Sequence, residues 1–229
     1  MNNNPSKKQI INQAIQFHLE GNISEATKCY QELIRKGCAD ERVFSNYGAI
    51  LQGINKLDEA ANCYLNAIKI NPNFADGHSN LGNILKDLGN LKDAEISTRK
   101  AIKLDPNLAN AHSNLGNILK DLGNLKEAEL SYRRAIEIDS DFAIAYSNLG
   151  TILKDLGNLK EAELYTRKAI ELNPNFANAH SNLGNILKDL GNLKEAELCQ
   201  RKALEIEPNF AEAHFNLGNI FKNINNLKE

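Results

Sequence analysis

Residues 109–142 read ANAHSNLGNILKDLGNLKEAELSYRRAIEIDSDF, and this stretch decides the fold. Ala111, Leu115, Ile118, Leu119 and Leu122 recur at offsets of three, four and seven, which marks one buried face of a helix. Beyond Gly123-Asn124 a second helical pattern runs through Leu125, Ala128, Tyr132, Ala135, Ile136 and Ile138. Gly123 can take the left-handed conformation that ends a helix. Asn124, with Glu127 three residues on, reads as the cap and capping box of the next one. The stretch therefore predicts a helix A over Ala109 to Leu122 and a helix B over Leu125 to Ile138.

Outward from this unit the pattern repeats every 34 residues. Gly48, Gly82, Gly116, Gly150, Gly184 and Gly218 keep that spacing, as do Ala60, Ala94, Ala128, Ala162 and Ala196. Ala67, Ala101, Ala135, Ala169 and Ala203 form a third ladder. A fixed period of this size signals a stacked array in which each unit buries its apolar face against its neighbours. Such a stack offers a long contact surface and no obvious reaction pocket. The cap pattern recurs at Asn55/Asp58, Asn90/Asp93, Asn158/Glu161 and Asn192/Glu195, and Pro72, Pro106, Pro174 and Pro208 close most B helices. Gly116 and Ala128 are small enough to let helices A and B of one unit approach closely.

Composition narrows the function classes. Of 229 residues, 42% are hydrophobic, ample for a continuous core between helix layers, and the net charge is only −2. That balance lacks the basic stripe of nucleic-acid binders. No run of about 18 apolar residues suggests a membrane span, and the start Met1-Asn2-Asn3-Asn4-Pro5-Ser6 lacks a secretory signal, so a cytoplasmic location is expected. Cys29, Cys63 and Cys199 share one repeat position, and layers roughly 8–10 Å apart exceed the reach of a disulfide. Together with Cys38, they are expected to be free thiols. His78, His112, His180 and His214 also share a position, too far apart to share a zinc, and are expected to pack between successive A helices. No catalytic constellation, phosphate loop, metal site or cofactor site stands out.

Two helices in 34 residues, with Leu115-Gly116, Ala128, Ala135 and a terminal proline position, resemble the tetratricopeptide repeat (TPR) family over nearly the whole chain. The resemblance implies an all-α fold, a right-handed α-solenoid of stacked helix-turn-helix units. Residues 1–6 are expected to be disordered or extended, 7–40 a divergent capping repeat, and 41–210 five regular repeats. Residues 211–229 then hold helix A of a truncated seventh. The family's aromatic in helix B is kept at Tyr30, Tyr64 and Tyr132 but is Thr98, Thr166 or Gln200 elsewhere, which predicts looser packing there. Asn226-Leu227-Lys228-Glu229 repeats the start of a helix B, so the chain reads as part of a longer protein. Leu217, Ile220, Phe221 and Ile224 are then expected to be uncovered, and self-association through that last helix follows.

In TPR arrays helix A lines the concave groove, and one position facing it is asparagine from the second repeat onward: Asn46, Asn80, Asn114, Asn148, Asn182 and Asn216. A second row carries Asn83, Asn117, Asn185 and Asn219, with Ala49 and Thr151 as exceptions, followed by Lys86, Lys120, Lys154 and Lys188. A primary amide donates two hydrogen bonds and accepts two, so it can pair with both groups of a peptide unit. Layers about 10 Å apart match roughly three residues of extended chain. This ladder resembles that of O-GlcNAc transferase-type TPR arrays, which grip extended protein segments; generic TPR surface carries asparagines there as well. The clamp that some TPR adaptors use for a C-terminal carboxylate is not evident, because Ser79, Ser113, Ser147 and Ser181 stand where it needs a cation. Repeats 109–142 and 177–210 agree at 27 of 34 positions and differ nowhere in helix A. Such a uniform groove can recognise only something periodic. The expectation is a non-catalytic scaffold that binds protein or extended peptide segments; the alternative is a structural spacer or self-associating solenoid.

Overall fold

The computed structural model describes residues 6–226. Among these residues lie thirteen helices and no strand. The A helices are α1 (Lys7–Leu19), α3 (Glu41–Gly53), α5 (Ala75–Asp87), α7 (Ala109–Asp121), α9 (Ala143–Asp155), α11 (Ala177–Asp189) and α13 (Ala211–Asn226). The B helices are α2 (Ile23–Arg35), α4 (Leu57–Ile70), α6 (Leu91–Leu104), α8 (Leu125–Ile138), α10 (Leu159–Leu172) and α12 (Leu193–Ile206). The fold class is the expected all-α solenoid. The chain divides into two compact units, the first ending at Asn114 and the second beginning at Leu115, inside α7. The expectations for residues 1–5 and for a further B helix at 227–229 lie outside the described residues. Ser6 is the N-cap of α1: it accepts from the Gln9 amide at 3.3 Å and donates its own amide to Gln9 Oε1 at 2.7 Å.

The turn from A to B departs from the expected capping box. Gly123, at φ +80°, closes α7, with its N–H on Lys120 O and the Asn124 N–H on Leu119 O. These are the bonds of a left-handed helix terminator. Asn124 is the N-cap of α8 by position, but its backbone at φ −85°, ψ 62° makes an inverse γ-turn, with the Leu125 N–H on Gly123 O at 3.0 Å. That geometry satisfies the first helical amide through the backbone, and the Asn124 side chain makes no cap bond. Asn90, Asn158 and Asn192 behave alike. The Asn55/Asp58 pair is one residue out of register. Asn55 itself takes the left-handed position, at φ 60°, and Lys56 is the N-cap of α4. Asparagine tolerates that conformation better than other non-glycine residues.

The turn from B to A is closed by side chains. In Asp105-Pro106-Asn107 the Asp105 carboxylate accepts the Asn107 amide at 2.9 Å, and Leu108 N–H donates to Asp105 O. The His112 ring bonds the Pro106 carbonyl at 3.0 Å through Nε2. His78, His180 and His214 make the same bond to Pro72, Pro174 and Pro208 at 3.1, 2.9 and 2.9 Å. This corrects the expected packing between A helices: each histidine clips its own helix to the preceding turn. The pairing follows the sequence, since Ser140 replaces the proline where Tyr146 replaces the histidine.

The core is built from the ladders. All ten alanines of the two alanine ladders are fully buried, as are Ile84, Ile118, Ile152, Ile186 and Ile220. A Cβ on Gly116 would lie 2.7 Å from the Tyr132 ring, and one on Gly184 would lie 2.5 Å from the Gln200 amide. Thr98 and Thr166 fill the same space against Gly82 and Gly150. Thr98, Thr166 and Gln200 are fully buried, so these units are closed despite the shorter or polar side chain. The cost falls on hydrogen bonding: Thr98 Oγ1 and Gln200 Oε1 have no partner among the described residues. Ile220 is likewise covered, packed with Leu183, Leu187, Ala196 and Cys199. Leu217 and Ile224 are half-buried, and only Phe221 of the four residues expected to be bare is exposed, at 38%.

Within each unit the A helices of successive repeats touch one another: α1 with α3 and α3 with α5, then α9 with α11 and α11 with α13. No two B helices bring Cα atoms within 8 Å of each other; only long side chains bridge them. The stack is therefore tighter on the A side, which makes that side its inner face. No described helix is long and apolar enough to cross a membrane.

Candidate functional site

The inner face carries the asparagine ladder: from Asn46 to Asn182 each asparagine lies between a buried serine and a buried or half-buried apolar residue on helix A, whereas Asn216 follows the exposed Phe215. Asn46, Asn80 and Asn114 belong to the first unit, and Asn148, Asn182 and Asn216 to the second. All are half-buried except Asn216, which is 8% exposed. Asn114 Nδ2 donates to Ser79 Oγ at 3.2 Å, Asn182 Nδ2 to Ser147 Oγ at 3.1 Å, and Asn216 Nδ2 to Ser181 Oγ at 3.4 Å. Each bond reaches the A helix of the preceding repeat, 35 residues earlier. The serines beneath are 1–2% exposed, so the carboxamide satisfies a hydroxyl that water cannot reach. Asn148 Nδ2 donates to Asn117 Oδ1 at 3.3 Å, whereas Asn80 makes no side-chain hydrogen bond among the described residues. The ladder thus staples repeat to repeat with one amide hydrogen and keeps Oδ1 as an acceptor, except where protein groups take it.

In the second row, Asn83, Asn117, Asn185 and Asn219 are half-buried. Asn117 Oδ1 also accepts the Tyr132 hydroxyl at 2.7 Å, and Asn185 Oδ1 accepts Gln200 Nε2 at 3.4 Å. These amides are held by the B-helix side chain that fills the glycine notch. Burial pushes the Tyr64 phenol up to about 12 and raises that of Tyr132 as well, so both stay protonated donors. Of the lysines, Lys86, Lys154 and Lys188 pair with their neighbours Asp87, Asp155 and Asp189 at 2.9, 3.2 and 3.5 Å, and Lys120 is exposed. The charge of these three is locally offset, which suits a neutral backbone better than an isolated carboxylate. Ser79, Ser113, Ser147 and Ser181 are 1–3% exposed and so cannot meet a ligand. The role of Ser79, Ser147 and Ser181 as anchors of the ladder was absent from the sequence reading, although the 35-residue offset from serine to asparagine was the available signal.

A concavity of about 390 Å³ in the second unit is lined by Arg167, Ile170, Glu171, His180, Leu183 and Cys199. It brings a thiol and an imidazole to one place without activating either. Burial pushes the Cys199 thiol up to about 11, and the His180 ring is engaged by the Pro174 carbonyl. A nucleophilic cysteine needs a lowered pKa, not a raised one.

Comparison with known families agrees with this geometry. A family model described as TPR repeat matches residues 48–89, 116–157 and 184–225. Two models described as tetratricopeptide repeat match 75–108 and 143–176, and 98–129 and 165–197. The chain belongs to the tetratricopeptide repeat family. Among solved structures, this TPR chain superposes on one from the APC/C hetero-tetramer Cut9–Hcn1 with a TM-score of 0.87 at 17% identity, over 94% of its length. It spans 43% of that larger chain. YrrB, a TPR protein with an unusual peptide-binding site, matches at TM-score 0.60 and 24% identity, covering 83% of this chain and 98% of YrrB. MamA matches at TM-score 0.60 and 28% identity, covering 72% of this chain and 96% of MamA. No curated protein sequence matches significantly.

Proposed function

We propose that this TPR array is a non-catalytic protein-interaction scaffold whose inner face holds extended peptide segments of its partners. The observation that carries the reading is the row of half-buried carboxamides at one register on successive A helices, each keeping hydrogen-bonding capacity beyond its staple. Asn80 is the least committed of them, and it marks the position where a ligand meets an amide with both hydrogens available. That YrrB, a TPR protein of similar fold, has an unusual peptide-binding site supports the reading, and the offset lysines favour a backbone over a charged terminus. Each hydrogen bond contributes about 0.5–1.5 kcal/mol net, and ordering a flexible peptide opposes much of it, so affinity is expected to be micromolar or weaker.

The test is titration of a fluorescein-labelled pool of unstructured peptides of randomised sequence, read by anisotropy. Asn80→Ala should weaken binding while leaving the melting temperature unchanged, since no hydrogen bond within the chain is lost. Unchanged affinity in Asn80→Ala, or no binding of the pool, contradicts the proposal. Self-association through α13 is the second reading, favoured by Phe215, which is 70% exposed at a position held by a buried serine in other repeats.

A further inference from the structure

The B helices carry a pattern of their own. Ile96, Leu130, Leu164 and Leu198 hold one position in four successive B helices, and they are 68%, 66%, 66% and 65% exposed. Single exposed leucines are ordinary, but a row of them at one register within one unit calls for a partner. Leu130, Leu164 and Leu198 lie in the second unit, on α8, α10 and α12. Four residues before each, on the same face one turn away, stand Lys126, Lys160 and Lys194. All three lysines are exposed, and among the described residues none has an ion-pair partner.

The surrounding charges are paired. Glu129, Glu163 and Glu197 bind Arg133, Arg167 and Arg201 of their own helices at 2.8–2.9 Å. Arg133 and Arg167 also reach Glu161 and Glu195 of the next B helix, both at 2.7 Å. These ties fix the spacing between B helices that do not touch directly. What remains unpartnered on each helix is one aliphatic side chain and one cation.

We propose that the outer face of the second unit docks an acidic amphipathic helix of another protein, laid across α8, α10 and α12. Because no Cα atoms of two B helices come within 8 Å, their spacing exceeds the roughly 8–10 Å of direct helix packing. Seven or eight residues of a crossing helix advance about 10.5–12 Å, so apolar residues on every second turn meet Leu130, Leu164 and Leu198 in succession. Carboxylates beside them meet Lys126, Lys160 and Lys194. An anionic lipid surface fits less well, because Glu137, Glu171 and Glu205, with side chains 63–70% exposed, lie close by on the same helices. A second copy also fits less well: pairing leucine on leucine about a two-fold axis brings Lys126 toward Arg134.

The experiment titrates the protein into labelled synthetic helices with leucine at every seventh position, flanked by glutamate in one and by lysine in the other. The glutamate-flanked helix should bind and the lysine-flanked one should not. The triple variant Leu130→Gln, Leu164→Gln, Leu198→Gln should weaken binding about tenfold or more, and Lys126→Glu, Lys160→Glu, Lys194→Glu should do the same. Circular dichroism should show both variants folded with melting points near the parent's, and Asn80→Ala should leave this binding unchanged. The proposal is overturned if neither helix binds, if both bind equally, or if the triple variants bind as the parent does. It is also overturned if the leucines instead govern binding to phosphatidylcholine–phosphatidylserine vesicles or formation of a dimer in light scattering.

Discussion

Asn182→Ala separates the stapling role of the ladder from its role toward a ligand. Its Nδ2 donates to Ser147 Oγ at 3.1 Å, and Ser147 is 1% exposed. A neutral hydrogen bond contributes about 0.5–1.5 kcal/mol net, and a buried hydroxyl left without its partner costs about 1–3 kcal/mol. Asn182 is itself half-buried, so water can enter where the amide stood, which places the expected loss near the low end, about 1 kcal/mol. Ser147→Ala leaves only the accessible amide unpaired and should cost less. The double variant isolates the pair, with a coupling of about 0.5–1.5 kcal/mol expected. Urea unfolding followed by circular dichroism reads all four proteins. Asn80→Ala, which breaks no such bond, should stay within about 0.5 kcal/mol of the parent. Zero coupling between positions 147 and 182, or equal losses in Asn80→Ala and Asn182→Ala, would refute the staple.

Three further outcomes are expected. Gly116→Ala should destabilise by about 1–3 kcal/mol, because its Cβ meets a Tyr132 ring that is fully buried and tied to Asn117; Gly53→Ala, with nothing within 4 Å, should gain a few tenths. The Cys63 and Cys199 thiols are pushed up to about 11 by burial, above the unfolded value of about 8.5. The folded state then holds protons that the unfolded state releases, so stability should fall as pH rises from about 8.5 toward 11. Urea midpoints against pH, with Cys199→Ala flattening the slope, check it. Phe215→Ser should abolish any concentration-dependent increase in light-scattering mass; an unchanged increase removes α13 as the contact.

The repeat, the helix pairs and the buried faces were legible in the sequence because they depend on local periodicity and on glycine and alanine at fixed offsets. What stayed hidden were side-chain choices between chemically equivalent partners. Asn124 has the residue type of a cap, yet the left-handed glycine before it sets a γ-turn that satisfies the same amide through the backbone. His112 has the type of a core or metal residue, and only the fold shows the Pro106 carbonyl within its reach. The asparagine ladder was visible as a row, but its serine anchors required knowing that helix A of one repeat lies directly on helix A of the next. The leucines of the B helices were overlooked for the opposite reason, since a leucine in a helix is read as core until its exposure is known.

On the proposed reading, the uniform layers hold peptide backbone and ignore side chains. Within one unit three layers span about nine residues of extended chain at 3.3 Å each. The most direct measurement is the affinity of one unstructured peptide of that length or longer, compared with its shuffled sequence and with shorter versions. Shuffling should leave affinity unchanged, and shortening should weaken it steadily. A short peptide that binds tightly, and loses its grip when one side chain is replaced, would contradict the account.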